Sequence, residues 1–156
     1  MSVAVKIKEL LEKERISYQV MEHALAITAL EVAQAQHLPG HQMIKSVIVG
    51  ADDKWVMCVL PSTHKIDFDA LKKVLNARDV KLADEKQVGA LFPGFDIGAM
   101  PPFGQLAGLK VYVDKSLEEN ESVAFNAGTH TDLLKIKLKD FVKIAQPVFG
   151  LFGRHI

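Results

Sequence analysis

The sequence predicts a mixed α/β fold, a partly barrel-like β-sheet surrounded by helices, and three observations carry that prediction. Apolar residues at helical spacing alternate along the chain with short β-branched runs. Two of those runs flank Asp52-Asp53 as a hairpin, which a purely parallel sheet lacks. The strands are also short and several, as in sheets that curl toward closure. At 156 residues the chain can bury roughly 68–70% of its unfolded surface without metal or disulfide support, so residues 1–156 are read as one domain.

Taken in order, Ser2 caps a first helix with Val3, Ile7, Leu10 and Leu11 on one face and Lys6, Lys8, Glu9, Glu12 and Lys13 on the other, ending near Arg15. Residues 18–21 read as a strand. Thr28 and Glu31 form a capping box that opens a helix through Ala35, which His37, Leu38, Pro39 and Gly40 end. From Met43 the pattern is β, with Lys45 inside the first arm of the hairpin and the run 55–60 as its second. Pro61 stops that strand. Asp67 caps a helix through Leu75 with Phe68, Leu71, Val74 and Leu75 inward, and Asp84 with Gln87 caps a short one up to Leu91. Residues 109–113, 123–126 and 133–138 are strands, the last alternating Leu134, Ile136 and Leu138 with a solvated face of Lys135, Lys137 and Lys139. Residues 140–145 make a final helix. The tail with Phe149, Phe152 and Ile156 is too apolar to hang free, and packs on the body or on a second subunit.

Composition excludes some partners. Lys plus Arg and Asp plus Glu number 19 each, so no global charge draws the protein to nucleic acid and any RNA contact is local. Lys135, Lys137, Lys139, Lys143 and Arg154 are the candidates for such a patch, with a plain solvated face as the other reading. Cys58 is the only cysteine; it sits in an apolar run, forms no internal disulfide and fits a reducing compartment. No apolar run nears the ~20 residues of a membrane span and no leader pattern opens the chain, so a soluble cytoplasmic protein is expected.

Residues 92–104 stand out, with three glycines and three prolines in thirteen positions. Such a segment is held in one irregular path with its peptide groups bare, and the carbonyls around Gly98 are expected to point outward as acceptors. A rigid surface connector is one reading. The other is a loop folded over a pocket, favoured by Phe92, Phe95, Ile97, Met100 and Phe103, which are too many large apolar side chains for a solvated connector. A Walker phosphate loop is excluded, because no Gly-Lys-Ser/Thr opens a helix here.

Two further positions carry chemistry. Lys45, among apolar strand neighbours, either reaches solvent at an edge or holds an anion. Residues 126–130, Asn-Ala-Gly-Thr-His, form a strand end and glycine turn whose amides and hydroxyl either gather round a ligand or only make the turn. His37 and His41 have zinc-like spacing, but Pro39 and Gly40 break the helix it requires, so no metal site is expected. No serine elbow, cysteine–histidine motif or carboxylate pair is visible.

Together, Lys45-Ser46 in a strand, residues 98–104 (Gly-Ala-Met-Pro-Pro-Phe-Gly) and residues 125–130 (Phe-Asn-Ala-Gly-Thr-His) resemble the YbaK/EbsC family of prolyl-tRNA synthetase-associated editing domains, across almost the whole chain. The resemblance implies a trans-acting deacylase that hydrolyses the ester of mischarged tRNA for proline carrying alanine or cysteine, without a cofactor. It implies catalytic positions at Lys45, Gly98 and Gly128, and substrate contacts from Ser46, Ala99, Met100, Pro101, Pro102, Phe103, Asn126, Thr129 and His130. The implied partners are the 3′ end of the tRNA and, in addition, a prolyl-tRNA synthetase. Ser46 and Ala99 depart from relatives, which often have Thr or Asn and a second glycine there; the Ala99 methyl bears on which amino acid is accepted. A non-catalytic module that binds aminoacyl-tRNA or a synthetase is the alternative.

Overall fold

The computed structural model describes residues 3–22 and 39–156. Helix α1 (Val3–Lys13) buries Ile7 and Leu11 completely, as their spacing requires, and the chain leaves it through Arg15 in the left-handed region at φ 57°. Strand β1 (Gln19–Glu22) follows. The predicted capping box at Thr28 and Glu31, the helix through Ala35, and His37 and Leu38 lie outside the described residues.

The hairpin forms as expected from strands β2 (Ile44–Ala51) and β3 (Lys54–Pro61), in register from Ile44–Pro61 to Ala51–Lys54. Its turn is tied down: the Asp52 carboxylate accepts from the backbone of Arg78 at 3.1 Å and Asp79 at 3.0 Å, just before β5 (Val80–Leu82). Between these lie β4 (His64–Ile66) and helix α2 (Phe68–Leu75), capped by Asp67, whose side chain accepts from Ala70 N at 3.1 Å. Helix α3 (Glu85–Leu91) opens on the predicted Asp84–Gln87 capping box, with both reciprocal bonds present. Then come β6 (Lys110–Asp114), β7 (Ser122–Asn126), β8 (Asp132–Lys137), α4 (Leu138–Ala145), β9 (Val148–Gly150) and β10 (Gly153–His155).

The strands form a five-stranded mixed sheet in the order β5-β2-β3-β6-β9, an antiparallel three-stranded sheet β1-β8-β7, and the ribbon β10-β4. A parallel bridge between Met43 and Ala124, with Ala124 N donating to Gln42 O at 3.0 Å, stitches the start of β2 to β7. That seam joins two of the sheets into one layer. One apolar cluster fills its inside, with Ile44, Ile48, Met57, Val59, Phe103, Phe125 and Phe141. A smaller one (Val49, Val56, Cys58, Leu71, Val80, Phe152) lies on the opposite face of the hairpin beneath α2. Burial pushes the Cys58 thiol up to about 12, so it stays protonated and inert.

The expectations for Phe68 and for the lysine face are corrected. Phe68 is not inward but 36% exposed at the start of α2. Leu138 and Lys139 open α4 and do not extend β8, and Lys135 is half-buried, so the lysine face is shorter and less solvated than the alternation implied. The tail packs on the body through Phe152, 1% exposed, whereas Ile156 stays 67% exposed. Asp114, not singled out by sequence, anchors that tail from a buried position, accepting from Phe152 N at 3.0 Å and Gly153 N at 2.6 Å through Oδ1 and from the Ser116 hydroxyl through Oδ2. Burial alone would raise its carboxyl; the hydrogen bonds from Ser116, Gly153 and Phe152 outweigh that and hold it below the usual carboxylate range.

Candidate active site

The loop 92–104 is pinned at both ends. Phe92 is buried with its ring edge-on to Phe95 at 5.4 Å, and Phe103 is buried between Phe125 of β7 at 5.3 Å and Phe141 of α4 at 6.1 Å. Gly104 admits no side chain, since a Cβ there would lie 2.3 Å from Leu109 O. Ala99, Met100, Pro101 and Pro102 are buried, while the apex keeps Asp96, Ile97 and Gly98 at the surface; Ile97, expected inward, is 42% exposed. The loop's aromatic ends are thus folded into the core, which a fully solvated connector would not allow.

Its apex is laced to the turn after β7. Asp96 N donates to Gly128 O at 2.8 Å, Gly128 N to Ala99 O at 2.9 Å, and His130 N to the Asp96 carboxylate at 3.1 Å. Gly98 at φ 86° and Gly128 at φ 91° make these close turns, in a backbone region that a side chain would strain. The carbonyls of Ile97 and Ala99 are consumed by these bonds and do not project as free acceptors; among the described residues, that of Gly98 has no partner. Thr129 also serves the turn, donating its hydroxyl to the Asp132 carboxylate at 2.5 Å.

Two polar atoms at this turn lack partners. His130 Nε2 lies 2.8 Å from Ile97 O, and a carbonyl only accepts, so Nε2 carries the proton. In the neutral ring, Nδ1 is then a bare acceptor, and it is buried without a partner. Asn126 Oδ1 is the second; its residue is 6% exposed. Buried acceptors left empty are uncommon and costly, so a pair of them on one turn calls for a donor.

Lys45 lies on β2, two residues past the seam with β7. Met43 and Ala124 are parallel bridge partners, so the residues two further along each chain, Lys45 and Asn126, follow on the same face as the strands diverge. Beyond the bridge, β2 pairs with no described strand on this edge until Val49 meets Leu82. Gln42 O and Ile48 O both bond outward here, so alternation turns the backbone N–H and C=O of Ser46 to the same open edge. Lys45 is half-buried; burial holds its ammonium below the usual lysine range, and among the described residues it has no carboxylate or hydrogen-bond partner. It also lines a cavity of about 260 Å³ with Val47, Leu60, Lys65, Ile66, Phe68 and Leu82.

The expected basic patch is divided. Lys135 and Lys137 line a shallow groove beside Tyr18, whereas Arg154 stands on the β10–β4 ribbon opposite Lys65. Among the described residues no three His, Cys, Asp or Glu side chains gather as a metal site, and the His41 ring is hydrogen-bonded to Asn120 at 2.5 Å. No helix among them is long and apolar enough to cross a membrane.

The loop at Gly98 and the turn at Gly128 are thus laced together next to two empty acceptors, while Lys45 lies on β2 two residues past the seam with β7. Comparison with known proteins identifies the family. Residues 23–144 match the family described as the aminoacyl-tRNA editing domain. The chain is 31% identical over 93 residues to a proline–tRNA ligase of Halalkalibacterium halodurans, covering 60% of this chain and 16% of that enzyme. It is 27% identical over 150 residues to the multifunctional Ser/Thr-tRNA deacylase ProXp-y of Escherichia coli K12, covering 93% of this chain and 89% of the relative. A crystal structure of a candidate trans-editing enzyme for prolyl tRNA synthetase superposes with a TM-score of 0.87 at 22% identity, over 99% and 98% of the two chains, which shows the shared fold.

Proposed function

The chain belongs to the aminoacyl-tRNA editing domain family, and on that premise we propose that it is a trans-acting aminoacyl-tRNA deacylase, a single cytoplasmic domain that removes alanine or cysteine from mischarged tRNA for proline. One observation carries this reading: the turn at residues 126–130 holds two buried acceptors without partners, Asn126 Oδ1 and His130 Nδ1, and the unpaired Lys45 lies on β2 two residues past the bridge that joins β2 to β7. An aminoacyl-tRNA 3′ end offers the complement, an α-ammonium that donates and an ester next to a phosphodiester that draws a cation.

In this account Asn126 and His130 receive the α-ammonium, and the backbone at Gly98 and Gly128 fixes the amino acid and the attacking water. Ala99, Met100, Pro101, Pro102 and Phe103 shape the wall, Thr129 holds the turn, and the Ser46 edge receives the ribose. Lys45 offsets negative charge at the ester carbonyl as water adds. The acyl–oxygen bond then breaks, the water oxygen stays with the amino acid, and a proton passes to the departing ribose oxygen. No protein nucleophile is required, because the ester is already activated and positioning supplies much of the rate. Cys58, buried with its thiol at about 12, takes no part.

The Escherichia coli relative is named for serine and threonine, so the accepted amino acid here is a matter of pocket size, where one methylene is worth only ~1–3 kcal/mol. Prolyl-tRNA synthetase remains a proposed additional partner; this chain spans only 16% of the ligase it matches. The test is release of amino acid from alanyl- and cysteinyl-tRNA for proline by wild type and Lys45→Ala. Hydrolysis at least about a hundredfold slower in the folded variant supports the reading. Binding without hydrolysis by wild type moves it to the non-catalytic module.

A further inference from the structure

The ribbon β10–β4 carries a pair of histidines that the proposed ester chemistry does not use. His64 opens β4 and His155 closes β10, and the two are direct antiparallel partners. Ile156 N donates to Thr63 O at 2.8 Å and Asp67 N to Phe152 O at 2.8 Å, so the pairs 63–156 and 67–152 are hydrogen-bonded positions of this ladder. Alternation then makes His64–His155 a non-hydrogen-bonded pair, the kind in which opposed side chains start closest together. Their ring centres lie 5.1 Å apart, with the planes crossed at 68°.

Both rings have Nδ1 occupied, and neither Nε2 has a hydrogen-bond partner among the described residues. His155 Nδ1 lies 2.9 Å from Ile156 O; a carbonyl only accepts, so Nδ1 carries the proton and Nε2 of the neutral ring is a bare lone pair. His64 Nδ1 lies 2.9 Å from the Thr63 hydroxyl, which can accept in the same way and leave the second Nε2 bare. Metal-binding imidazoles are set up like this, one nitrogen donating to an oxygen and the other turned to the ion. With metal–nitrogen bonds of about 2.0–2.1 Å at a tetrahedral angle, two imidazoles sharing one ion through Nε2 have centres roughly 5.2 Å apart. The observed spacing matches that requirement, and the exposed His155 ring is free to pivot onto a shared ion.

The surrounding charge suits a cation. A Cβ on Gly153 would lie 2.7 Å from Asp114 Cγ, which places that carboxylate over the ribbon face that His155 and His64 share, whereas Lys65 and Arg154 alternate to the other face. Asp114 is filled by Phe152 N, Gly153 N and the Ser116 backbone and hydroxyl, so it acts on the pair by charge and not as a ligand. Burial, the largest influence, holds the His64 ring below the usual histidine range, in the neutral form that ligates; the carboxylates of Asp114 and Glu119 oppose this, and His155 and Lys45 add to it. Imidazole nitrogen selects zinc, copper or nickel over magnesium and calcium, which take oxygen, and water completes the shell.

We propose that His64 and His155 form a two-imidazole site for a divalent transition-metal ion, which staples β10 to β4. The ion closes the outer end of a strap whose inner end Asp114 holds through Phe152 and Gly153. The proposal does not rest on the deacylase reading, and neither histidine belongs to the ester-cleaving set.

The test is titration of zinc chloride into the full chain, followed by long-range proton–nitrogen NMR of the histidine rings and by the urea midpoint. The expected result is a shift of the Nε2 resonances of both His64 and His155, with a midpoint that rises with zinc concentration. His64→Gln and His155→Gln should each bind zinc at least about tenfold more weakly. Should either variant be less stable without metal, the wild-type spectra decide alone, since they need no substitution. Zinc that shifts only one of the two rings, that binds both variants as tightly as wild type, or that joins two chains in sedimentation overturns the paired site. Absence of any shift at millimolar zinc also overturns it.

Discussion

Replacing His130 by alanine separates a structural role from a substrate role. The ring makes one hydrogen bond within the protein, Nε2–H to Ile97 O at 2.8 Å. Ile97 is 42% exposed, so its carbonyl can be rehydrated, and the loss to stability should be at the low end of the ~0.5–1.5 kcal/mol typical of a neutral hydrogen bond. The backbone bond from His130 N to Asp96 survives the substitution. Nδ1 is different, because in the free protein it is buried and bonded to nothing. A bond from it to a charged ammonium is worth about 1.5–3 kcal/mol, which corresponds to about ten- to a hundredfold in kcat/KM. The assay is steady-state deacylation of alanyl-tRNA for proline together with urea unfolding of both proteins. A loss of kcat/KM within about twofold, at an unchanged urea midpoint, would refute the assignment of Nδ1 to the substrate.

Other substitutions test other parts of the account. Lys45→Ala should unfold at the same or a higher temperature than wild type by calorimetry, because a half-buried ammonium with no described partner is desolvated without compensation; a lower midpoint would mean that it has a stabilising partner. Gly98→Ala should cost about 1–2 kcal/mol from backbone strain alone, since a Cβ there meets only His130 Cε1 at an ordinary 3.6 Å, whereas Gly104→Ala should cost more, with overlap onto the Leu109 carbonyl at 2.3 Å; denaturant midpoints rank the two. Asp114 has a carboxyl held low in the folded state, so its contribution is present above the unfolded carboxylate value of about 3.9 and is lost as pH falls through the lower folded value. Asp114→Asn should therefore flatten the acid limb of a stability–pH profile, and an unchanged limb would contradict the anchoring role.

The elements with strong periodicity or a cap were legible in the chain: the hairpin around Asp52-Asp53, the Asp67 cap and the Asp84–Gln87 box all stand where the residues put them. The three-residue strands β4, β5, β9 and β10 were not, because three residues carry too little alternation to register. Phe68 was misplaced for a related reason: at the first position of an eight-residue helix, the apolar stripe does not distinguish a core contact from a ring left at a groove. The pairing of loop 92–104 with the turn 126–130 was implied by a resemblance, but its lacing by Asp96 and His130 depends on contacts between residues more than thirty positions apart. Sequence gave no sign of the empty acceptors either, since an unpaired atom is a property of three-dimensional neighbours.

The most direct measurement is the release of amino acid from tRNA for proline charged in turn with alanine, cysteine, serine, threonine and proline, under single-turnover conditions with wild type in excess. The account predicts rapid hydrolysis of the alanyl or cysteinyl ester, with prolyl-tRNA spared by at least about tenfold. Equal persistence of all five esters in the presence of folded protein would contradict it.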